Sequence, residues 1–509
     1  MKKAKVYLVG AGPGDADLIT VKGLECLKKA DVVVYDRLLD ERLLDQTRPE
    51  AERIYVGKAT YHHTKGQAEI NQLLVDKAKE GKIVVRLKGG DPFVLGRGGE
   101  EAEALVQNDI PFEVVPGVSS AIAVPAYAGI PVTYRRLSSS FAVITGHEDP
   151  TKGKTSIAWE KLATGVDTLV FLMGIGNLSQ IVRQLVENGR DVTTPVAMIK
   201  DGTGPGQKTL VGTLADIVAK AEDSNFSPPA VIVVGEVVRL REKLNWFDNR
   251  PLFGKKILVT RARTQASSLS RLLLERGAQP IEMPTIQIQS IANTVELDQA
   301  ILNLENYHWL VFSSVNGVEA FFERLYALKR DARWFRSINL GAIGPATAKA
   351  LEERGLCPDY LPQAYTSDCF VAGLGDQDVS GCRFLLPRAD IAPKGLADGL
   401  RQLGAEVHEV TAYKTAPATE AISLGKQLLL NGEVDVITFT SSSTVFNLLS
   451  LMDGKWQAVE RPVVACIGPV TAAAAAKVEL KVDVVAQTHT IPGLVEAIEQ
   501  YFEDRKGIK

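Results

Sequence analysis

The stretch from Arg86 to Glu101, RLKGGDPFVLGRGGEE, combines glycines with acidic and basic side chains. It follows Ile83, Val84 and Val85, whose apolar and β-branched side chains predict a short buried strand. Glycines at the end of a strand let a ligand approach the backbone, because no Cβ stands in the way. Open α/β sheets bind ligands at this edge, where the carboxyl ends of the strands lie. A lone Gly-Gly is more typical of a tight turn, whereas this density of glycines and charges favours a ligand site.

A second glycine-rich turn, Gly10 to Gly14, lies near the start of the chain. It follows a predicted strand over residues 5–9, and the next predicted strand, 30–36, ends in the acid Asp36. A strand, a glycine-rich turn and an acid at the end of the next strand are typical of dinucleotide binding, which also needs a third glycine. Asp15 stands at that position, so the pattern disfavours a nicotinamide cofactor.

A second α/β block begins near Phe141. The block starts with residues 141–147, buried strands are predicted over residues 168–174 and 230–235, and loops stand at the strand ends. Two such blocks in succession present two sets of strand ends. We therefore expect a cleft between the two blocks.

The second half of the chain repeats itself. The recurring segments are Thr260-Arg261-Ala262 with Pro387-Arg388-Ala389, Phe312-Ser313-Ser314 with Phe439-Thr440-Ser441, and Ile343-Gly344-Pro345 with Ile467-Gly468-Pro469. Internal similarity of this kind predicts two related α/β units. Because helix N-termini and small hydroxyl residues hold carboxylates well, two such units could bind a polyanionic small molecule between them. A pair of binding lobes without catalysis is an equally good interpretation of the pattern.

The composition predicts an ordinary multidomain protein. The chain has 509 residues, of which 45% are hydrophobic and 23% charged, with a net charge of −3. The length predicts roughly two to four domains, and the charge predicts no general attraction to nucleic acid or to anionic membranes. The basic, then apolar, start is too short in its apolar part for a signal peptide, so we expect a cytoplasmic chain. Scattered cysteines and the adjacent His62 and His63 predict neither a disulfide framework nor a metal site.

Seven motifs of the first half stand in the order and spacing of one enzyme family. They are Val9 to Asp15, Val34 to Leu38, Val56 to Lys58, Arg86 to Glu101, Val115 to Ser120, Ala126 to Pro131, and Thr145 to His147. By these motifs, residues 1–245 resemble uroporphyrinogen-III C-methyltransferase, a member of the tetrapyrrole methylase family. The resemblance implies two α/β domains, a homodimer, and S-adenosyl-L-methionine in the cleft. It also implies methylation of two ring carbons of uroporphyrinogen III, which gives precorrin-2 on the sirohaem and cobalamin branch.

The same resemblance implies site residues. Cofactor-binding positions fall on Pro13, Gly89, Gly90, Asp91, Val94, Ser119, Ser120, Met173, Gly202 and Ala230. Asp36 matches the family's proposed base and Lys58 its proposed acid. The polyanionic substrate needs cations around it, for which the candidates are Arg37, Lys88, Arg97, Arg135 and Arg136. Without the resemblance, Met173 could equally belong to the core, and Asp36 or Lys58 to an ion pair at a strand end.

Three residues depart from the family pattern. Ala59 follows Lys58 where the family usually has arginine, Tyr61 stands where glycine is favoured, and Tyr134 replaces a common histidine. These differences concern the contacts with the substrate, whereas the reaction class rests on the other motifs.

Motifs of the second half resemble uroporphyrinogen-III synthase. They are Leu258 to Arg261, Val311 to Val318, Leu386 to Asp390, Tyr413, Phe439 to Thr444, and both Ile-Gly-Pro-x-Thr-Ala segments. The resemblance implies closure of hydroxymethylbilane with loss of water and inversion of the last pyrrole, without cofactor or metal. It implies that Tyr413 helps the hydroxide to leave, and that Thr347, Ser442 and Thr471 bind substrate. A tyrosine packed at the crossing between two domains is the alternative for Tyr413.

We therefore expect an α/β protein with a two-domain methylase fold, followed by a two-domain, pseudo-duplicated, flavodoxin-like synthase fold. The expected boundaries are 1–245 (sub-domains about 1–138 and 139–245), a linker over 246–255, and 256–505 (about 256–288 with 418–505, and about 289–417). Aromatic residues of the linker predict a packed joint rather than a loose tether. The function expected is that of a bifunctional tetrapyrrole enzyme. The alternative is a methyltransferase with a non-catalytic tetrapyrrole-binding or regulatory second half.

Overall fold

The protein is described from a computed structural model. The described residues are 4–57, 66–147, 155–260, 263–283, 287–335, 338–363, 365–375, 378–416, 421–452 and 461–506. The chain forms two compact units, one made of Met1–Lys255, Leu273–Gln279 and Phe502–Lys509, and the other of Lys256–Leu272 and Pro280–Tyr501. In the described residues, the strands form four sheets of five strands each, which confirms the predicted α/β class.

The first sheet is parallel, with strand order β3-β2-β4-β1-β5. Its elements are β1 (Lys5–Gly10), α1 (Val21–Lys29), β2 (Val32–Tyr35), β3 (Glu52–Tyr55), α2 (Gln67–Lys79), β4 (Ile83–Lys88), α3 (Gly98–Gln107), β5 (Phe112–Val115) and α4 (Ser120–Tyr127). Val32 and Val34 belong to one buried cluster and Val33 to another, because successive residues of a strand face opposite sides of the sheet. All five strands therefore end at one edge, where the glycine-rich turns lie.

The second sheet is mixed, with order β6-β7-β10-β8-β9. Its elements are β6 (Phe141–Thr145), α5 (Trp159–Gly165), β7 (Thr168–Leu172), α6 (Leu178–Glu187), β8 (Pro195–Lys200), β9 (Lys208–Thr213), α7 (Ile217–Asp223), β10 (Ala230–Val234) and α8 (Arg241–Leu244). Strand β10 is antiparallel to both β7 and β8. The first residue of β10 consequently lies at the same edge as the last residues of β7 and β8.

The second unit contains two sheets whose equivalent strands stand in the same order. The first, β12-β11-β18-β19-β20, is built from β11 (Lys256–Val259), α9 (Arg263–Glu275), β12 (Gln279–Glu282), α15 (Ala421–Leu430), β18 (Val436–Phe439), α16 (Ser442–Leu451), β19 (Val463–Cys466), α17 (Pro469–Lys477), β20 (Val484–Val485) and α18 (Ile491–Lys506). The second, β13-β17-β16-β14-β15, is built from β13 (Gln287–Ser290), α10 (Val295–Leu302), β14 (Trp309–Phe312), α11 (Val315–Ala327), β15 (Asn339–Ala342), α12 (Pro345–Glu352), α13 (Ser367–Leu374), β16 (Arg383–Ala389), α14 (Gly395–Gln402) and β17 (Glu406–Ala416).

The predicted internal repeat is confirmed by these strands. The repeated segments around Phe312 and Phe439 end β14 and β18, and those around Ile343 and Ile467 directly follow β15 and β19. Each Gly-Pro pair then opens a helix, with Gly344 or Gly468 as the N-cap and the proline in the first turn. Proline is favoured there because its missing N–H has no intrahelical partner in any case.

The segment that follows the second sheet is part of the first unit. The ring of Tyr127 lies 5.1 Å from that of Trp246 and 4.9 Å from that of Phe247. Across the described residues, no helix combines the length and apolar character that crossing a bilayer requires.

Candidate functional site

Three glycine backbones meet at the carboxyl edge of the first sheet. A Cβ added to Gly117 would lie 2.3 Å from the carbonyl oxygen of Gly90, and one added to Gly10 would lie 2.5 Å from the Cα of Gly117. No side chain fits at such distances. The three segments, from the ends of β1, β4 and β5, can therefore approach one another only as bare backbone.

Asp91 holds two of these segments together. Its Oδ2 accepts a hydrogen bond of 2.9 Å from the N–H of Gly117, and its Oδ1 accepts one of 2.8 Å from the N–H of Phe93. Each carboxylate oxygen keeps a further lone pair for another donor. Asp91 is thus a residue of the loop framework that can also accept a bond from a ligand.

The part of the first unit that is built on the first sheet is called its first lobe. The remaining predicted cofactor positions of this lobe lie around the glycine cluster. Ser119 is the N-cap of α4, its Oγ accepting from the N–H of Ala121 at 3.3 Å, and Ser120 begins the helix. Pro13 is half-buried, whereas Val94 is 38% exposed and so presents an apolar side chain outside the core. Gly89 has no room for a side chain, because a Cβ there would lie 2.2 Å from the carbonyl oxygen of Leu38.

The second lobe is the part of the first unit that is built on the second sheet. Its predicted cofactor positions share one edge of that sheet. Val231 pairs with Leu172, so Ala230 at the start of β10 lies beside Met173 after β7. Ala230 also pairs with Lys200, two residues before Gly202. Met173 has a positive φ of 58° and is 53% exposed, so it does not belong to the core.

The two edges meet. A Cβ added to Gly202 would lie 2.4 Å from a methyl carbon of Val124 on α4. The N–H of Asp15 donates to the Oγ1 of Thr203 at 3.0 Å. The first unit therefore brings candidate residues from its two lobes to one place.

A buried network of charges lies below the glycine cluster. The guanidinium of Arg86 donates from Nη2 to both oxygens of Asp36 at 2.8 Å, and from Nε to Oε1 of Glu101 at 3.0 Å. Lys88 donates to the same Oε1 at 2.9 Å. Glu101 is fully buried, and within the described part of the chain its Oε2 has no hydrogen-bond partner. Asp36 consequently lies at the strand end with its orientation set by Arg86.

The predicted substrate cations differ in their surroundings. Lys88 is 4% exposed and paired with Glu101; burial and the neighbouring charge of Arg86 lower its pKa. It is a member of the buried network and offers no free cation at the surface. Arg37, Arg135 and Arg136 are exposed, and so is Arg97, which pairs with Glu100 at 2.6 Å. Lys58 lies outside the described residues, as do Ala59 and Tyr61.

In the second unit, Tyr413 is 7% exposed and belongs to the core around β17. Its hydroxyl lies 3.0 Å from the Oγ of Ser314. Ser314 is the N-cap of α11 and accepts from the N–H of Gly317 at 3.1 Å. The phenol is therefore buried, yet it is linked to the hydroxyl that opens a helix.

Thr347 and Thr471 occupy equivalent positions in the two repeats. Each stands in the first turn after a Gly-Pro pair, and each is 4% exposed. Ser442 begins α16 and its hydroxyl lies 3.5 Å from the carbonyl oxygen of Val470, so it is tied to the start of α17. Both threonines are thus less accessible than expected for direct carboxylate contacts.

Sequence reasoning missed two residues of these sites, Glu101 and Ser314. Ser314 carried a signal, because a serine before an apolar helix is a typical N-cap. Glu101 carried none, because a helix on the surface would show the same residue. In the described residues, no group of histidine, cysteine and carboxylate side chains could hold a metal ion.

Comparisons with known proteins match both halves. Residues 5–218 match the model of the tetrapyrrole (corrin/porphyrin) methylases, and residues 267–496 that of uroporphyrinogen-III synthase HemD. Porphyrin biosynthesis protein HemD of Ruminiclostridium josui is 41% identical over 498 residues, covering 98% of each chain. The S-adenosyl-L-methionine-dependent uroporphyrinogen III methyltransferase of Methanosarcina barkeri is 55% identical, covering 47% of this chain and 94% of its own. The crystal structure of uroporphyrin-III C-methyl transferase from Thermus thermophilus with S-adenosyl homocysteine is 42% identical, covering 46% and 94%, with a TM-score of 0.40.

Proposed function

Because the chain belongs to the porphyrin biosynthesis proteins, with a tetrapyrrole methylase in its first half and a uroporphyrinogen-III synthase in its second, we propose that it catalyses two consecutive reactions. The second half closes hydroxymethylbilane to uroporphyrinogen III and inverts the last pyrrole. The first half methylates that product twice with S-adenosyl-L-methionine and forms precorrin-2, the precursor of sirohaem and cobalamin. One chain thus makes and consumes the same intermediate.

The observation that carries the methyltransferase proposal is the meeting of two strand-end edges around bare backbone. The cradle of Gly10, Gly90 and Gly117 has no room for a Cβ at Gly10 or Gly117, and it opens beside the N-terminus of α4. Backbone groups of this kind suit a nucleoside with an amino-acid tail, because both ends carry hydrogen-bonding groups. The exposed Val94 and Met173 fit the apolar faces of the adenine. Residues of both lobes, including Gly202 and Ala230, would hold the cofactor.

The chain's own groups position the reactants and handle protons. The bound cofactor supplies a methyl group on a positively charged sulfur, and in-line transfer to carbon depends mainly on positioning. Asp36, held by Arg86 at the strand end, takes a proton from the ring near the carbon that is methylated. Lys58 is the proposed acid. The exposed Arg37 and Arg97 are the proposed partners of substrate carboxylates, whereas Lys88 is not, because it is buried against Glu101.

The synthase half needs no cofactor in this proposal. The hydroxyl of Tyr413 assists the departure of hydroxide from hydroxymethylbilane, and Ser314 orients that hydroxyl. Ser442, Thr347 and Thr471 stand in the first turns of their helices, whose backbone N–H groups are available to carboxylates.

The decisive experiment uses the intact chain. Given hydroxymethylbilane alone, it should form the type III isomer, and with S-adenosyl-L-methionine added, the dimethylated product. If the type I isomer, which forms spontaneously, were the only product, the second half would be a non-catalytic binding or regulatory module. Calorimetry with S-adenosylhomocysteine and with NAD separates the methyltransferase from a dehydrogenase, since only the former binds the nucleoside thioether.

We also propose that the chain forms a homodimer through its first half. The proposal rests on the methylase family of the first half, whose resemblance implies a homodimer. Light scattering should then give twice the chain mass of 55.1 kDa. A particle of the chain mass at micromolar concentration would contradict the dimer.

A further inference from the structure

A strained loop carries one of the proposed cofactor residues. Asp201 and Thr203, on either side of Gly202, have positive φ angles of 48° and 72°. For residues other than glycine, this conformation costs about 1–3 kcal/mol each and persists only where the surroundings enforce it. The contacts that hold Asp201 and Thr203 in this conformation therefore help to shape the cofactor site.

Thr203 is held on both sides. Its N–H donates to Oε1 of Gln207 at 3.0 Å, and its Oγ1 accepts from the N–H of Asp15 at 3.0 Å. Thr203 is 2% exposed and Gln207 3% exposed, so neither bond competes with bulk water. A Cβ on Gly14 would lie 2.7 Å from the same Oγ1, which leaves Thr203 little freedom.

The side chain of Gln207 is in turn held by Asp248, which follows the second sheet, and by Tyr127 of α4. Its Nε2 donates to Oδ1 of Asp248 at 2.9 Å and to the carbonyl oxygen of Tyr127 at 3.4 Å. With Oε1 on Thr203, both ends of the amide are engaged. Asp248 also pairs with the guanidinium of Arg241, and both side chains are largely buried. The strained loop therefore depends on a segment that follows the methyltransferase fold.

The same segment holds the end of α4. Arg241 donates to the carbonyl oxygen of Ala128 at 2.6 Å, and the indole N–H of Trp246 donates to that of Ala126 at 3.0 Å. The last carbonyls of a helix lack intrahelical partners, and a cation there is also favoured by the helix dipole. Gly129, with φ +72°, allows the backbone at Leu244 to pack against the end of α4, because a Cβ on Gly129 would lie 2.5 Å from the carbonyl oxygen of Leu244.

Tyr127 closes the network between the lobes. Its hydroxyl donates to Oδ2 of Asp15 at 3.0 Å, next to the glycine-rich turn of β1. Burial and then the charge of Asp15 raise the pKa of Tyr127 to about 12, so the phenol keeps its proton at neutral pH. Asp15, Tyr127 and Gln207 thereby join the first lobe, α4 and the loop after β8.

We propose that Arg241, Trp246 and Asp248, which we call the clasp, belong to the methyl-donor site rather than to a connector. The clasp fixes the C-terminus of α4 and, through Gln207, the loop of Gly202. Val124 of α4 packs against Gly202, and Ser119 and Ser120 begin the same helix. The clasp and Gln207 are positioning groups, and they keep the two cofactor-binding edges in register. This role rests on the proposed methyltransferase function.

The test is the affinity of the full chain for S-adenosylhomocysteine. Gln207→Met keeps the size of the side chain but leaves the Thr203 N–H and Asp248 without their partner. We expect the dissociation constant, measured by calorimetry, to rise at least about tenfold, because a buried polar group is left unpaired. Asp248→Asn keeps an acceptor for Gln207 and loses only the charge on Arg241, so a smaller rise is expected. Gln72→Met is the matched control, since Gln72 donates to Asp76 on the exposed face of α2.

The synthase reaction of the same chain separates positioning from general damage. The clasp predicts that its rate is unchanged while the affinity for S-adenosylhomocysteine falls. Unchanged affinity in both Gln207→Met and Asp248→Asn overturns the proposal, and so does a parallel fall of affinity and synthase rate. If Gln207→Met does not fold, Asp248→Asn alone decides by the same criteria. Failure of the unmodified chain to bind S-adenosylhomocysteine would instead overturn the proposed methyltransferase function.

Discussion

The two halves prepare their sites in opposite ways. In the first unit, three strand ends come together because Gly10 and Gly117 carry no side chain. In the second unit, serines open helices at repeated positions, Ser314 before α11 and Ser441 before α16. A Cβ added at Gly344 would meet nothing within 4 Å, although this glycine also opens a helix. Glycine is thus a steric requirement at Gly10 and Gly117, whereas at Gly344 it is not.

This difference says how each half should respond to change. A site built on contacts between backbones has no tolerance for added atoms, because the backbone itself must move to make room. A site built on side-chain hydroxyls loses single hydrogen bonds, each of modest net energy. Since both reactions are proposed for one chain, each serves as an internal control for the other.

The largest expected effect is that of Asp36→Asn on methylation. If Asp36 removes a proton, its loss should lower kcat of methyl transfer by about 10²–10⁴ while the affinity for S-adenosylhomocysteine stays the same. Single-turnover methylation with calorimetry on the same sample measures both. The synthase rate should not change.

Asp45→Asn is the control, because Asp45 is an exposed acid nine residues along the chain from Asp36. Normal methylation by Asp36→Asn would mean that Asp36 is not the base. Its role would then be limited to the ion pair with Arg86.

The second expected effect is that of Gly117→Ala. The added methyl would lie 2.3 Å from the carbonyl oxygen of Gly90, so the loops of β4 and β5 must separate. A displacement of this size should weaken S-adenosylhomocysteine binding and methylation by about a hundredfold. Calorimetry and the methylation assay measure these losses, again with the synthase rate preserved.

Gly99→Ala is the matched control. A Cβ at Gly99, in the first turn of α3, meets nothing within 4 Å. This variant should bind as the unmodified chain does and gain a few tenths of a kcal/mol of stability from helix propensity. Equal binding by both alanine variants would contradict the steric requirement for glycine at Gly117.

The order of elements was predictable from the sequence because each half carries strong local signals. Apolar, β-branched runs ending in glycines predicted β1 and β4, and repeated motifs predicted the equivalence of β14 with β18. These patterns report on backbone geometry, which short segments largely determine.

The partners of the site residues were not predictable, because they come from distant parts of the chain. The sequence presents Lys88 as a cation beside glycines, yet Glu101 on the next helix buries it. The role of Gln207 depends on Asp248, which lies beyond the second sheet. Met173 shows the converse, since its apolar side chain predicted core equally well and its exposure excludes it.

A third, smaller effect is expected for Tyr413→Phe in the synthase half. The variant removes one hydroxyl, and Ser314 keeps its bond from the N–H of Gly317, so the fold should persist. Loss of one hydrogen bond to the leaving group should lower the synthase rate by about tenfold. A stopped assay for the type III isomer measures it, and methylation of added uroporphyrinogen III should remain normal. An unchanged synthase rate would leave Tyr413 as a packing residue.

The smallest effect is expected at Glu113, at the amino end of the first sheet, away from the glycine cluster. Hydrogen bonds from Lys22 and Lys5 lower the pKa of this carboxyl to about 2. Because its pKa is depressed in the folded state, the pairing stabilises the fold above the ordinary pKa, and this contribution is lost as pH falls from about 4.5 toward 2. Because Lys22 is largely exposed, solvent screening keeps this stabilisation small at neutral pH. Thermal unfolding of Glu113→Gln should lack this acid-dependent component, whereas Glu103→Gln on the exposed face of α3 should keep it. Weakened S-adenosylhomocysteine binding in Glu113→Gln would mean that the whole sheet, and not its carboxyl edge, sets the site.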